Sequence, residues 1–211
     1  MDTFDKQTLR NRAKEILQTL PEEYKKGASH SICQHLNRYL LSLSTLPTAL
    51  LGFIPFPDEP DVTPLYREIC SLFPYLPIGF PRVEGNALAF YRWSSSRLPK
   101  NGVTPEWVHG SFGTIEPSPS LPQFGRDIPW GTCPVVLVPG RVFDRQGGRI
   151  GRGKGYYDRF LRSLRQRVTD GEKNIEVIAI GICFLVQVVT EVPRTEQDEP
   201  IDHLITEEGV L

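Results

Sequence analysis

The sequence has few cysteines and no pattern that would join them. Cys33, Cys70, Cys133 and Cys183 are dispersed, and none shows the Cys-x-x-Cys spacing of a zinc knuckle or a redox dithiol. The four histidines also lack metal-ligand spacing. The sequence therefore predicts neither a disulfide framework nor a zinc site. Reduced, buried thiols are expected instead, as in a cytoplasmic protein.

Long apolar segments and a strong charge imbalance are missing as well. No apolar run approaches the roughly 20 residues that a membrane-spanning helix needs. The N-terminal segment Met-Asp-Thr-Phe-Asp-Lys is charged and lacks the apolar core of a signal peptide. The formal net charge of −1 argues against bulk nucleic-acid binding. We expect a cytoplasmic protein with neither a membrane nor a nucleic acid as partner.

What the sequence does contain is a regular alternation of helical and strand-like segments. Apolar residues recur at helical spacing over 9–20, 28–43 and 62–73, and again after residue 156. Short apolar runs at 48–54, 75–79, 87–93, 135–138 and 176–182 predict strands. With 211 residues, one domain is the natural expectation. We predict a single α/β domain over 1–211 with a largely parallel sheet.

One long interval breaks this alternation. Residues 94–131 contain six prolines and show no helical or strand periodicity. Trp107, Phe112, Phe124 and Trp130 make a fully disordered segment a poor description of it, since disordered segments are poor in aromatic residues. The interval is therefore predicted to be an irregular excursion whose aromatic side chains either pack onto the domain or flank a flat ligand.

The most informative segment is rich in glycine and in cations. It runs from Gly147 to Gly155, between the apolar strand at 134–139 and the helical pattern that starts at Tyr156. Glycines let backbone N–H groups converge on one point, and a helix N-terminus adds unsatisfied donors and partial positive charge. Arg149, Arg152 and Lys154 place three cations there. This arrangement predicts a binding site for an anion, most simply a polyphosphate.

Two familiar phosphate motifs are excluded by the order of these residues. No Gly-Lys pair is followed by Ser or Thr, so the loop is not a Walker A motif. Tyr156 stands where the dinucleotide fingerprint has its third glycine. The alternative to a phosphate site is a flexible connector. The interleaved cations and the position before a helix favour phosphate binding.

Several segments together resemble one known family. Gly151-Arg-Gly-Lys-Gly-Tyr-Tyr-Asp-Arg159 is similar to the signature of the 5-formyltetrahydrofolate cyclo-ligase (5,10-methenyltetrahydrofolate synthetase) family. Further segments resemble the family in the same order along the chain. They are Lys6-Gln-Thr-Leu9-Arg10, Asp58-Glu59, Phe80-Pro81-Arg82, Gly113-Thr-Ile-Glu116-Pro117, Val138-Pro-Gly-Arg-Val-Phe143-Asp144 and the stretch from Val192 to Asp202.

The resemblance implies a fold and a reaction. The fold is a three-layer, Rossmann-like α/β domain. The reaction is the ATP- and magnesium-dependent closure of 5-formyltetrahydrofolate to 5,10-methenyltetrahydrofolate, so ATP and Mg²⁺ are the implied cofactors and the folate is the implied partner. Positioning and charge neutralisation should dominate such a reaction. We expect the chain to act as a monomer or a weak homodimer.

The resemblance also implies roles for individual residues. Arg152 and Lys154 are the expected catalytic cations, nearest the transferred phosphoryl group. ATP is expected to contact Lys6, Gln7, Thr8, Leu9, Arg10, Arg149, Ile150, Gly151, Arg152, Gly153, Lys154, Gly155, Tyr156 and Tyr157. The folate is expected to contact Ile54, Glu59, Arg152, Gly153, Lys154, Gly155 and Tyr156. Asp158 and Asp198 are the expected magnesium ligands.

Each of these roles has a simpler alternative in the sequence itself. Lys6 and Arg10 lie one turn apart and could form a solvated basic face with Lys14. Asp158 could stabilise the start of its helix electrostatically. Two other functions also remain open. A sugar-phosphate isomerase would need an acid–base carboxylate or histidine and no ATP, and a regulatory module would bind a nucleotide without turnover.

Overall fold

A seven-stranded sheet forms the centre of the protein. We analysed a computed structural model, which describes residues 5–93, 106–110, 113–169 and 175–211, and of Val168 and Thr169 the backbone alone. The helices are α1 (Lys6–Thr19), α2 (Glu22–Ser42), α3 (Thr63–Leu72) and α4 (Tyr156–Thr169). The first six strands are β1 (Ala49–Leu51), β2 (Ile78–Glu84), β3 (Ala87–Arg92), β4 (Trp107–His109), β5 (Ile115–Pro117) and β6 (Pro134–Pro139). The others are β7 (Val142–Asp144), β8 (Arg149–Ile150), β9 (Ile178–Ile182), β10 (Val188–Val189), β11 (His203–Thr206) and β12 (Gly209–Val210).

The strand order of the large sheet is β12-β11-β9-β6-β1-β2-β3. The pairs β1–β2, β1–β6, β6–β9 and β9–β11 are parallel, and the two outermost pairs are antiparallel. The predicted largely parallel sheet is thus confirmed. The chain proceeds from β1 to β2 in one direction and from β6 to β9 in the other. This reversal creates a crevice at the carboxyl ends of β1 and β6, where open α/β sheets bind their ligands.

Helices cover both faces of the sheet. Along β6, Val135 and Leu137 face the core that contains α2 and α3, whereas Val136 and Val138 face the core that contains α4. Both faces of the strand are buried, which explains its uninterrupted apolar sequence. The protein therefore has the three layers that the family resemblance implied.

Helix α1 begins at a side-chain cap, and its two ends pack differently: Leu17 joins the core that contains α2 and α3, whereas Leu9 and Ala13 belong to a third, smaller cluster. The carboxylate of Asp5 accepts hydrogen bonds from the backbone N–H groups of Gln7 and Thr8, at 2.7 and 2.9 Å. Such a cap satisfies donors that the first helical turn leaves unpaired. Leu9 and Ala13 pack against Val142 and Ile150 of the hairpin formed by β7 and β8. This contact brings the exposed first turn of α1 towards the segment that follows β8.

The β7–β8 hairpin differs from the sequence prediction, which had the glycine-rich segment lead directly from strand to helix. Gly147 and Gly148 lie in the hairpin turn, and Arg149 and Ile150 form β8. The turn is fixed by the buried Asp144, whose carboxylate accepts N–H bonds from Gln146, Gly148 and Val192. Residues 151–155 remain as the loop before α4, so this loop is shorter than the sequence indicated.

Two other boundaries differ from expectation. Strand β1 is limited to Ala49–Leu51, and β2 starts at Ile78 instead of Tyr75, which is 94% exposed. Strand β1 pairs with β2 at Ile78 and Gly79, so Pro81 lies beyond the end of β1. Because proline lacks an N–H only where β1 needs none, β2 continues through it.

The interval 94–131 contains more regular structure than its prolines predicted. Strands β4 and β5 form an antiparallel pair within it. Trp107 is buried in the core beside α2 and α3, and Phe124 stacks on Trp130 with ring centroids 5.7 Å apart on the other face. The aromatic residues thus pack the interval onto the domain. Residues 94–105 and Phe112 lie outside the described residues.

Candidate active site

A large cavity opens at the carboxyl ends of β1 and β6, where the strand order reverses. Its volume is about 2000 Å³. Sites for one small ligand usually occupy about 300–1,000 Å³, so this cavity has room for two. Its walls come from α1, α2, α3, the segment after β1, the β2–β3 hairpin, β5, β8, the loop before α4 and the first turn of α4.

The glycine loop forms one wall of the cavity. Gly153 and Gly155 have φ values of +101° and +64°, which other residues rarely adopt. Gly155 directly precedes the first residue of α4, and the loop therefore meets the positive end of the helix dipole. Arg152 and Lys154 line the cavity from this loop. Backbone, helix terminus and two cations together form an anion-binding wall.

Helix α1 adds two more cations to the same cavity. Lys6 and Arg10, four residues apart on one face of the helix, both line it. Arg10 Nε donates a 3.0 Å hydrogen bond to the carbonyl of Gly151, and its Nη1 donates to Gln7 Oε1 at 2.7 Å. Of the other predicted α1 contacts, Gln7 and Thr8 are exposed, and Leu9 is buried against the hairpin. These three do not line the cavity.

The segment after β1 forms the opposite wall. Ile54, Phe56 and Glu59 line the cavity. Glu59 is buried, and its carboxylate accepts from the Phe56 N–H at 3.0 Å and from Arg152 Nη2 at 3.1 Å. Burial raises the pKa of Glu59 above its ordinary value, although the charge of Arg152 and the Phe56 hydrogen bond act in the opposite direction. The loop cation and the predicted folate-binding acid are thus in direct contact.

Arg152 is held by two further contacts. Its guanidinium carbon lies 4.0 Å from the centroid of the Phe56 ring. Its Nη2 donates to Asp58 Oδ1 at 2.6 Å, and Asp58 also pairs with Arg141. Burial raises the pKa of Asp58, but the hydrogen bond from Arg141 and the charges of both arginines outweigh it, so this pKa lies below its ordinary value. Sequence reasoning missed Arg141 and gave Asp58 no role of its own.

Asp158 and Asp198, the predicted metal ligands, both line the cavity and both pair with cations. Asp158 lies 2.8 Å from Arg149 Nη2. Asp198 pairs with Lys6 and accepts the N–H of Thr195 at 2.6 Å. Burial raises the pKa of Asp198, but Lys6 and Thr195 lower it further, to below its ordinary value. Within the described parts of the chain, no three His, Cys, Asp or Glu side chains cluster as a metal site.

Arg149 and Tyr157 carry buried polar atoms that lack a partner. The Arg149 side chain is 4% exposed, and its Nε makes no hydrogen bond. The Tyr157 hydroxyl is likewise unpaired, and burial together with the charge of Glu59 raises its pKa. Both residues line the cavity. Because unpaired buried polar atoms cost free energy, these two atoms are natural contacts for a polar ligand.

The remaining predicted site residues are placed as follows. Ile150 is buried between α1 and the cavity, and Gly151 and Tyr156 line the cavity beside the loop. Tyr156 also lies under the guanidinium of Arg159, at 5.2 Å from the ring centroid. The structure thus gathers segments from both ends of the chain around one cavity.

The fold and the site define a mixed α/β protein with a cavity lined by several cations at the reversal point of its sheet. Across residues 2–207 the chain matches the model of the 5-formyltetrahydrofolate cyclo-ligase family, and it belongs to that family. The chain is therefore an enzyme of the cyclo-ligase class.

Curated relatives carry the same description. The chain is 27% identical to the 5-formyltetrahydrofolate cyclo-ligase of Saccharomyces cerevisiae, over 98% of this chain and 97% of that protein. It is 33% identical to the probable 5-formyltetrahydrofolate cyclo-ligase of Schizosaccharomyces pombe, in an alignment that covers 37% of this chain and 40% of that protein. The latter alignment thus spans less than half of the relative's length.

Solved structures share the fold. The 5,10-methenyltetrahydrofolate synthetase of Aquifex aeolicus superposes with a TM-score of 0.70 at 29% identity, covering 97% of this chain and 91% of that chain. The synthetase of Mycoplasma pneumoniae superposes with a TM-score of 0.66 at 18% identity, covering 97% and 99%. Among the described residues, no helix has the length and apolar character that a membrane crossing requires.

Proposed function

We propose that this chain closes 5-formyltetrahydrofolate to 5,10-methenyltetrahydrofolate at the expense of ATP. The observation that carries the proposal is the direct contact between Arg152 of the glycine loop and Glu59 of the opposite wall. This contact joins a cation of the glycine loop to a buried carboxylate within a cavity large enough for two ligands, which supports the binding of a phosphate beside the folate. The family membership supports the same substrate and product.

The geometry supports a division of the cavity into two halves. Lys6, Arg10 and the glycine loop form the half suited to the triphosphate, because cations and helix N-terminal donors bind phosphate oxygens. Glu59 and Ile54 form the half suited to the folate, since a carboxylate accepts hydrogen bonds from a pterin ring and Ile54 offers apolar surface. The reacting groups then meet at Arg152 and Lys154.

In the proposed reaction the terminal phosphoryl group of ATP is transferred to the formyl oxygen. N10 then attacks the activated formyl carbon and loses its proton. The bond between that carbon and the phosphorylated oxygen breaks, phosphate leaves with the proton, and the methenyl bridge remains, with ADP and phosphate as products. The protein needs no nucleophile for these steps. Arg152 and Lys154 neutralise the charge that develops on the transferred group, and the walls exclude water.

The carboxylates fit a magnesium ion that accompanies the nucleotide. Mg²⁺ is typically held by one or two carboxylates, phosphate oxygens and waters, so a cage of three protein ligands is not required. Asp158 and Asp198 line the triphosphate half and would supply the protein oxygens. In this structure they pair with Arg149 and Lys6, so each carboxylate would have to contact its cation and the ion together. The ion would supply charge neutralisation between the phosphates.

A simple assay tests the proposal. The purified protein is mixed with 5-formyltetrahydrofolate, ATP and Mg²⁺, and the absorbance of the methenyl product is followed while each component is omitted in turn. We expect product when all three are present and none when any one is missing. Product without nucleotide, or nucleotide binding without product, would contradict the proposal. The second result would favour a regulatory module, and turnover of a sugar phosphate without ATP would favour an isomerase.

A further inference from the structure

Arg152 lies in a loop that does little to fix its side chain. The loop spans residues 151–155 and includes two glycines with positive φ. The Arg152 side chain is 38% exposed at the cavity surface. A long, mobile cation is a weak catalyst, because electrostatic stabilisation depends on charges that are already in place when the reaction occurs. The structure must therefore anchor this guanidinium from outside the loop.

Two carboxylates hold the guanidinium, and they are placed differently. Glu59 lines the cavity, whereas Asp58 and its other partner Arg141 are not among the described residues that line it. A ligand in the cavity can therefore compete for Glu59, whereas Asp58 lies outside the described lining. If Glu59 accepts hydrogen bonds from the folate, Asp58 is the carboxylate that still anchors Arg152.

Asp58 is itself fixed from behind. Its Oδ2 accepts from Arg141 and its Oδ1 from Arg152, so each oxygen serves a different guanidinium. Arg141 lies two residues after the end of β6, and its side chain is 7% exposed. Its backbone N–H donates to the Ile150 carbonyl at 2.7 Å, and the Gln187 amide donates to its carbonyl at 3.1 Å. The anchor is thus tied to β8 of the small three-stranded sheet and to Gln187.

The geometry points to Asp58, held by Arg141, as a positioning residue that keeps the Arg152 guanidinium at the glycine loop when Glu59 binds the folate. This inference rests on the proposed function. The two neighbouring carboxylates then have different roles. Asp58 positions Arg152, and Glu59 binds the folate.

A double-mutant cycle on kcat tests the inference. Asp58→Asn, Arg152→Ala and the double variant are compared with the wild-type protein. We expect Asp58→Asn to lower kcat by about 10-fold, because small displacements of a catalytic group are costly. In the Arg152→Ala background the same change should have less than about a 2-fold effect, since the cation it positions is gone. Equal effects in both backgrounds would overturn the inference.

Asp61→Asn is the matched control. Asp61 is an exposed acid in the same segment, and its Oδ1 accepts the Thr63 N–H at 2.9 Å at the start of α3. Its effect on kcat should be the same with and without Arg152. If Asp61→Asn couples to Arg152 as strongly as Asp58→Asn does, the coupling belongs to the segment as a whole and the assignment to Asp58 is wrong.

Two readouts separate positioning from general damage. Binding of tripolyphosphate is measured by calorimetry, and we expect Asp58→Asn not to weaken it, because the change removes a negative charge near the anion site. A lower affinity would instead mean that the loop has collapsed, and would contradict the inference. If Asp58→Asn does not fold, Arg141→Lys loosens the anchor with the buried charge retained, and its smaller fall in kcat should also vanish with Arg152→Ala.

The mobility of Arg152 is measured without reference to activity. The Nε–H group of Arg152 should give the NMR relaxation of an ordered side chain in the wild-type protein, both alone and with 5-formyltetrahydrofolate added. In Asp58→Asn it should be mobile. If Arg152 stays ordered in that variant, the inference fails even where the methenyl assay succeeds. If the assay fails and this difference in order is found, the anchor stands and the proposed function falls.

Discussion

Arg10 and Gly151 lie 141 positions apart in the chain and are joined by a hydrogen bond from the Arg10 Nε to the glycine carbonyl. The bond ties the first helix to the loop before the last one. It also orients Lys6 and Arg10 of α1 towards the glycine loop. The N-terminal helix is thereby a wall of the cavity, and its cations face the same space as Arg152 and Lys154.

The two halves of the cavity should separate in kinetics. Lys6→Ala and Arg10→Ala are expected to raise KM for ATP by about 10-fold or more, the loss typical of a hydrogen bond to a charged group, with a smaller change in KM for the folate. Glu59→Ala should show the reverse. Steady-state kinetics with each substrate varied in turn will check this. Equal effects of all three changes on both constants would remove these residues from the site.

The loop cations should act on the chemical step. Lys154→Ala and Arg152→Ala are expected to lower kcat by about 100-fold or more while the protein stays folded, because charge in the transition state loses its partner. Lys14→Ala, on the exposed side of α1, is the matched control and should leave kcat unchanged. If kcat is unchanged in Lys154→Ala or in Arg152→Ala, that cation faces solvent and not the transferred group.

Magnesium dependence should change when the carboxylates are neutralised. Asp158→Asn and Asp198→Asn are each expected to raise the Mg²⁺ concentration for half-maximal rate by about 10-fold, in line with the loss of a ligand oxygen. Titration of Mg²⁺ at saturating ATP measures this. Glu15→Gln, which removes an exposed acid of α1 outside the cavity lining, should leave the titration unchanged, and a similar shift in it would point to bulk charge as the cause.

The pairing of Asp198 with Lys6 should give stability that depends on pH. The pKa of Asp198 in the folded protein lies below its ordinary value of 3.8. Its contribution is therefore present above about pH 4 and is lost as pH falls through the folded-state pKa. We expect Asp198→Asn to lower the free energy of unfolding by up to about 1 kcal/mol at pH 7. At pH values below the folded-state pKa of Asp198 the two proteins should unfold at the same temperature, as calorimetry can show.

Two glycine substitutions should change the free energy of unfolding in opposite directions. Gly27 lies inside α2, and a Cβ there would meet no atom within 4 Å, so Gly27→Ala should stabilise the protein by roughly 0.5–1 kcal/mol. Gly153 has a φ of +101°, and Gly153→Ala should cost about 1–2 kcal/mol or distort the loop. Denaturant unfolding measures both. Stabilisation by Gly153→Ala would mean that the loop conformation differs from the one described.

The sequence predicted the long elements well because their signals are local. The helical spacing of Leu9, Ala13 and Leu17 indicated α1, and the apolar run at 134–139 indicated β6. The β7–β8 hairpin was missed since its strands are three and two residues long and its glycines suggested a loop. Arg149 was expected in that loop for the same reason. Its burial beside Asp158 depends on the hairpin and leaves no periodic trace in the sequence.

The predicted site residues came from sequence motifs, and a motif does not show which side chains form ion pairs with one another. Lys6, Arg10, Glu59 and the glycine loop were placed around one phosphate and one folate site, and the structure brings them to one cavity. The pairing of Asp58 with Arg141 spans 83 positions and depends on the parallel alignment of β1 with β6. Long-range ion pairs of this kind arise from topology, which the local pattern does not encode.

The reversal of strand order between β1 and β6 has a consequence for how the enzyme reaches its working state. The cavity takes residues from the first helix, the segment after β1, the glycine loop and Asp198, so it exists only after strands distant in the chain have paired. Such non-local pairings form late, because loop closure must precede them. During refolding, helical circular dichroism should recover first and turnover last. Activity thus reports completion of the central sheet more faithfully than any signal from a single helix.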